Sequence, residues 1–166
     1  GATGQQVPRI SAPKPAALPD ELALCMVGAH MSGLPLNSQV MDRGGRYLET
    51  VQLGPDYRLF ALSGPEPQRP GLLRETGADS AIEAELWALP LHEVGRFLQS
   101  IPAPLGLGSI TLSDGRVVQG FLCEAAATLD AKDITASGGW RAWCKQKISS
   151  MSHDGLDGKS EAASSA

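Results

Sequence analysis

Between Arg46 and Leu89 four strand-like segments follow one another with no helical pattern between them: Arg46–Leu53, Tyr57–Leu62, Gly71–Glu75 and Ala81–Leu89. A doubly wound fold needs a helical crossover between parallel strands. Adjacent strands and hairpins point instead to an α+β chain with a small, mixed, strongly curved sheet or barrel and flanking helices. The fourth segment alternates. Ile82, Ala84, Leu86 and Ala88 share one face, and Glu83, Glu85 and Trp87 share the other, which reads as solvated. After Pro90 the period changes. Val94, Phe97, Leu98 and Ile101 stand at i, i+3, i+4 and i+7 and mark an amphipathic helix, which "IPAPLG" breaks. Further on, Asp114-Gly115 between apolar runs signals a two-residue hairpin turn. Trp140, Trp143 and Lys147 follow two glycines at helical spacing, the tryptophans reading as core and rim.

A chain of 166 residues suits one domain. Residues 1–20 are proline-rich and read as a linker. The packed region spans 21–147, and 148–166 is too poor in apolar residues to bury a core, so it reads as a disordered tail. Charged residues are 19% of the chain and the net charge is -4. With no basic stripe, nucleic-acid binding is excluded. No apolar run approaches the roughly 18 residues of a membrane helix, and no leader pattern opens the chain. Cys25, Cys123 and Cys144 lie far apart without metal-ligand spacing, so they read as buried free thiols of a reducing cytoplasm, with no metal or cofactor expected. There is no GxSxG elbow, Walker loop or HExxH helix.

The stretch "CMVGAHMSGLPLN", Cys25 to Asn37, is the candidate site. Leu22–Val27 is apolar on both faces, as a central strand would be. It stops at Gly28 and delivers His30 to a sheet edge. Gly28 and Gly33 permit sharp turns and close backbone approach. The amides of Met31, Ser32, Gly33 and Leu34 are suited to form an anion nest. Asn37 adds a side-chain amide, and a short helix after Pro35, closed by Gly44 and Gly45, adds its N-terminus. His30 beside this loop would titrate near neutral pH. Such a histidine is either catalytic or a structural hydrogen-bonding residue, and composition leaves both open. Glu83 and Glu85 are either an acid/base pair or part of a solvated face. Glu124 falls in register with Val118 and Leu122 and reads as inward-facing, either a partly buried carboxylate with a raised pKa or the partner of an arginine such as Arg58 or Arg141, and these three join the loop as candidate substrate-binding residues.

"GAHMSGLPLN", "YRLFAL", "RPGLLR", "IEAELWALP", "GRFLQSIPAPLGLGSITLSDGRVVQGFLCEA" and "DITASGGWRAW" together resemble the C-terminal domain of allophanate hydrolases, from about Leu24 to Trp143. The resemblance implies a γ-glutamylcyclotransferase-like fold and a place in cytoplasmic urea and s-triazine breakdown. It also implies an N-terminal amidase domain as partner, with a homo-oligomer possible in principle. The implied substrate is small and dicarboxylate-like: N-carboxycarbamate, to be decarboxylated to carbamate and carbon dioxide. Cyclotransferases of this fold carry a catalytic glutamate where this chain reads "SIPAPLG", so cyclotransferase chemistry is not expected. His30 becomes the acid/base candidate, and its loop stands where cyclotransferases bind substrate. An alternative is a non-catalytic binding or assembly module.

Overall fold

The computed structural model describes the backbone of residues 15–164 and the side chains of residues 15–152. The elements run β1 (Glu21–Met26), α1 (Asn37–Met41), β2 (Arg46–Gln52), β3 (Tyr57–Ala61), β4 (Pro70–Arg74), β5 (Glu83–Pro90) and α2 (Leu91–Gln99). They continue with β6 (Leu105–Thr111), β7 (Val117–Cys123), β8 (Lys132–Asp133) and α3 (Trp140–Ser164). Five strands form one sheet in the order β2-β5-β1-β7-β6, and three form a second in the order β4-β3-β8. All pairings are antiparallel except β1 with β7.

The larger sheet curls until its two edges meet. β2 and β6 are the edge strands, yet Leu53 and Leu112 just beyond them form an antiparallel bridge. The Gly54 amide donates to the Thr111 carbonyl at 2.9 Å, and the Ser113 amide donates to the Gln52 carbonyl at 2.9 Å. Tyr57, on the second sheet, accepts the Thr111 amide on its hydroxyl at 2.9 Å and so ties the sheets together at the seam. Closure of this kind removes exposed edge amides. This is the expected α+β architecture of a strongly curved mixed sheet with flanking helices. Leu24, Cys25, Leu59, Leu72, Ile82, Leu89, Phe97 and Ile110 fill its core, all at 0% exposure. α2 lays Phe97 into it from outside.

Four local expectations need correction. First, β5 is buried on both faces: Glu85 and Trp87 are as inaccessible as Leu86 and Ala88, because the loop after β1 and the start of α3 cover the face that the alternation assigns to water. Second, the turn between β6 and β7 is longer than two residues. Leu112 bonds Arg116 and only Gly115 has positive φ, +91°, as in a three-residue loop with a glycine bulge. Third, α3 continues past Lys147 to Ser164, although Ile148 and Met151 are exposed. Once α3 is nucleated on the domain, each further residue adds a hydrogen bond at little cost. Fourth, the packed region begins before Glu21. Arg46 donates to the Ala16 carbonyl at 3.0 Å, Leu18 donates to Glu21 at 2.9 Å, and Ala17 is half-buried on the core.

Candidate functional site

β1 is the central strand of the sheet, and its C-terminal end opens into the loop that carries His30. Gly28 is forced by contact: a Cβ there would lie 2.5 Å from the Pro70 ring at the start of β4. Gly33 is forced by conformation, with φ +76° and open space around it. The loop folds on itself through bonds from Met31 to Gly28 (3.0 Å), Leu34 to Met31 (3.1 Å) and Leu36 to Ala29 (2.9 Å), donor first. Asn37 is buried, and its Nδ2 donates to the His30 carbonyl at 2.8 Å.

The expected anion nest does hold a carboxylate, but it is the protein's own. The Ser32 amide donates to Glu85 Oε1 at 2.7 Å and the Ser32 hydroxyl to Glu85 Oε2 at 2.7 Å. Trp87 Nε1 adds a bond to Oε1 at 3.0 Å, and Arg141 Nη2 adds one to Oε2 at 3.1 Å. Burial pushes the Glu85 carboxyl upward, but these four donors outweigh it and its pKa lies below the ordinary value. Arg141 also reaches the Ser32 carbonyl at 2.6 Å and Glu83 at 3.2 Å. The amides of Met31, Ser32 and Leu34 are thus committed internally. Asn37 and Arg141 hold the loop, and α1, only five residues long, offers no helix-terminal anion site.

A cleft of about 390 Å³, counted with its open mouth, lies on the other side of the loop and is lined by Cys25, Gly28, His30, Arg69, Leu105 and Phe121 among others. His30 is 8% exposed. Its Nε2 is hydrogen-bonded to Gln39 Oε1 at 3.1 Å, and its ring stands edge-on to Phe97, 5.2 Å between centroids. Burial lowers its pKa, the Gln39 bond opposes that, and the Arg69 charge lowers it further, to about 4. The expected titration near neutral pH does not hold for the free protein, because the ring is desolvated. The Cys25 thiol is pushed up to about 12 by burial and supplies no nucleophile. Arg69 brings its Nη1 into burial with no hydrogen-bond partner.

The remaining candidates fall elsewhere. Arg58 pairs with Glu75 and, at 3.3 Å, with Asp133, and it is absent from the lining of the His30 cleft. Glu124 is exposed rather than inward, because it ends β7 where the strand leaves the sheet, and neither Arg58 nor Arg141 pairs with it. Met31 is core. Sequence reasoning weighed Glu85 only as an acid/base partner of Glu83 or a solvated residue, and did not single out Arg69, which lines the cleft. Glu85 was legible as a carboxylate on a strand. Arg69 lies inside the quoted "RPGLLR" and carries no periodic signal of its own. Among the described residues no group of three His, Cys, Asp or Glu side chains converges as metal ligands, and no helix is long and apolar enough to cross a membrane.

Fold and cleft define a small α+β domain with a curled sheet and a mostly apolar cleft, carrying His30 and Arg69, at the end of its central strand. The chain belongs to the allophanate hydrolase C-terminal domain family, whose model matches residues 22–145. It is 38% identical over 126 residues to a urea amidolyase of Saccharomyces cerevisiae, covering 74% of this chain and 7% of that protein. A urea amidolyase of Lachancea kluyveri is 37% identical over 130 residues, with coverages of 75% and 7%. The chain therefore spans about 7% of the length of the curated relatives it matches. Among solved structures it is similar to Kluyveromyces lactis allophanate hydrolase, with TM-score 0.73, 35% identity and coverage of 76% of this chain and 21% of that one. A uropathogenic E. coli-specific protein has TM-score 0.70 and 32% identity, and the match covers 75% of this chain and 96% of that one.

Proposed function

We propose that this domain receives N-carboxycarbamate, the small dicarboxylate-like product of a partner amidase domain in the cytoplasm, and promotes its decarboxylation during urea breakdown. The observation that carries the reading is His30, buried in the cleft at the end of β1 in a chain of the allophanate hydrolase family. The C–N bond breaks, its electrons go to nitrogen, and one proton must arrive there: the dianion plus a proton gives carbamate and carbon dioxide. An unprotonated nitrogen leaves badly, so a proton donor in the cleft accelerates the step, by about 10²–10⁴-fold for general acids of this kind. His30 is the donor, protonated when a dianion beside it offsets the cost of burial, and solvent replaces its proton afterwards.

A second reading, favoured by the low pKa of His30 in the free protein, makes the domain a non-catalytic binding or assembly module of the amidase. Carbon dioxide release from N-carboxycarbamate, freshly generated by a separate amidase domain, decides between them. Release faster with this chain than without it supports decarboxylation. Release at the spontaneous rate overturns it in favour of the module.

A further inference from the structure

We infer that Arg69 is the carboxylate-binding residue of the His30 cleft, an inference that rests on reading the cleft as the site of a small dicarboxylate. Among the described residues, Arg43, Arg46, Arg58, Arg116 and Arg141 each hold a carboxylate, Arg74 donates to the Ser109 carbonyl, and Arg96 is exposed on α2. Arg69 differs. Its Nη1 is the one buried side-chain nitrogen or oxygen there without a hydrogen-bond partner. A guanidinium nitrogen buried without an acceptor is costly and persists where a ligand completes it. A carboxylate is the complement that the planar fork fits best.

The fold fixes the backbone at Arg69. Leu62 donates to the Arg69 carbonyl at 3.2 Å, and Pro70 packs so tightly on Gly28 that no Cβ fits between them. That contact sets Arg69 beside the chain two residues before His30. Arg69 and Leu105 also line an adjoining depression, open to solvent, with Gln68 and Pro102 to Pro104. The titratable or charged groups lining the cleft are Cys25, His30 and Arg69, and none of them is a carboxylate. The elements packed on His30 present neutral groups, Gln39 from α1 and Phe97 from α2. A bound carboxylate therefore neutralises Arg69 and removes the repulsion that Arg69 exerts on a protonated His30. Anchoring the substrate and arming the proton donor become one event.

The test is calorimetric titration of malonate into the 166-residue chain, its Arg69→Met variant and its Arg69→Lys variant, with the His30 ring followed by NMR across pH. The expected results are malonate binding by the wild type and an upward shift of the His30 midpoint on binding. Arg69→Met should bind roughly tenfold or more weakly, as for loss of a charge-assisted bond, and Arg69→Lys should fall between the two. In ligand-free Arg69→Met the His30 midpoint should already lie above that of the wild type. Thermal stability should not fall in Arg69→Met, since a buried nitrogen without a hydrogen-bond partner is removed from a half-buried residue, and a folded variant keeps the binding result interpretable. If wild type and Arg69→Met bind malonate equally, the assignment of Arg69 is overturned while the dicarboxylate site stands. If the wild type binds no malonate, the site itself is overturned.

Discussion

The carboxylate of Glu85 sits 2.7 Å from both the amide and the hydroxyl of Ser32, joining the middle of β5 to the loop that carries His30. Glu85 is buried while Ser32 lies at the surface, and Arg141 closes the contact from α3. A single carboxylate thus holds the loop, the strand and the C-terminal helix in one arrangement.

Removing that carboxylate should be expensive. Glu85→Ala leaves the Ser32 amide, the Trp87 indole and the Arg141 guanidinium without their shared acceptor, and a donor left unmet in this way costs about 1–3 kcal/mol. Urea denaturation should show that loss, and Glu85→Gln, which keeps one acceptor oxygen, should lose less. The depressed pKa sets the pH window. The stabilisation is complete above the ordinary value of 4.5 and fades as pH falls from there through the lower folded value. A Glu85→Gln chain should lose that part of its acid sensitivity. Equal stability of the three proteins at pH 7 would contradict the arrangement.

Two glycines in one loop should respond differently to alanine. At Gly33 the new methyl group meets open space, so only the positive φ is penalised, by about 1–2 kcal/mol. At Gly28 the methyl collides with the Pro70 ring, and β1 or β4 must shift. Gly28→Ala should therefore be the more destabilising by thermal melting and should disturb the His30 cleft. The reverse order would mean that the β1–β4 contact is loose.

His30 should titrate near pH 4 in the free protein. The unfolded chain takes up this proton at about 6.5, so the folded state loses stability as pH falls from there and the loss levels off below the folded value. NMR of the ring reads the midpoint directly, and a value near 6.5 would mean that the ring is in water. His30→Asn should keep the fold and slow carbon dioxide release by about 10²-fold or more if the ring is the donor. Unchanged release would assign the ring to structure alone.

The ends should be unequal in importance. A chain cut after Lys147 should melt within a few degrees of the full one, since Ile148 and Met151 pack on nothing. A chain starting at Glu21 should melt lower than one starting at Ala16, because it loses the Arg46–Ala16 bond and the half-buried Ala17. Differential scanning calorimetry distinguishes the four combinations.

Period and punctuation carried the strands well. β1 to β4 lie within two residues of the segments that apolar runs and turn residues mark, and α2 begins where Pro90 ends the alternation. What remained hidden depends on contacts distant in sequence. The face of β5 bearing Glu85 and Trp87 looks like a solvated face because its cover comes from Ser32 and Arg141, 53 and 56 residues away. Glu124 looks inward by the same period-two rule, but the rule ends with the strand. Arg69 lies between a proline-rich loop and a strand, where no periodicity says which way a side chain points. Most of the fold was therefore legible. Of the site, the histidine and its loop were legible, and the groups that complete them were not.

The Ser32 amide is committed to Glu85 and those of Met31 and Leu34 to the loop itself, and the titratable or charged groups that line the cleft are side chains. Main-chain donors are the same whatever the codon, so a pocket built from them resists change. A pocket built from a histidine and an arginine can be re-addressed by one or two substitutions while the curled sheet behind it stays as it is. Ligand preference in this domain is thereby separable from its folding, and relatives sharing the sheet are free to differ in what they hold.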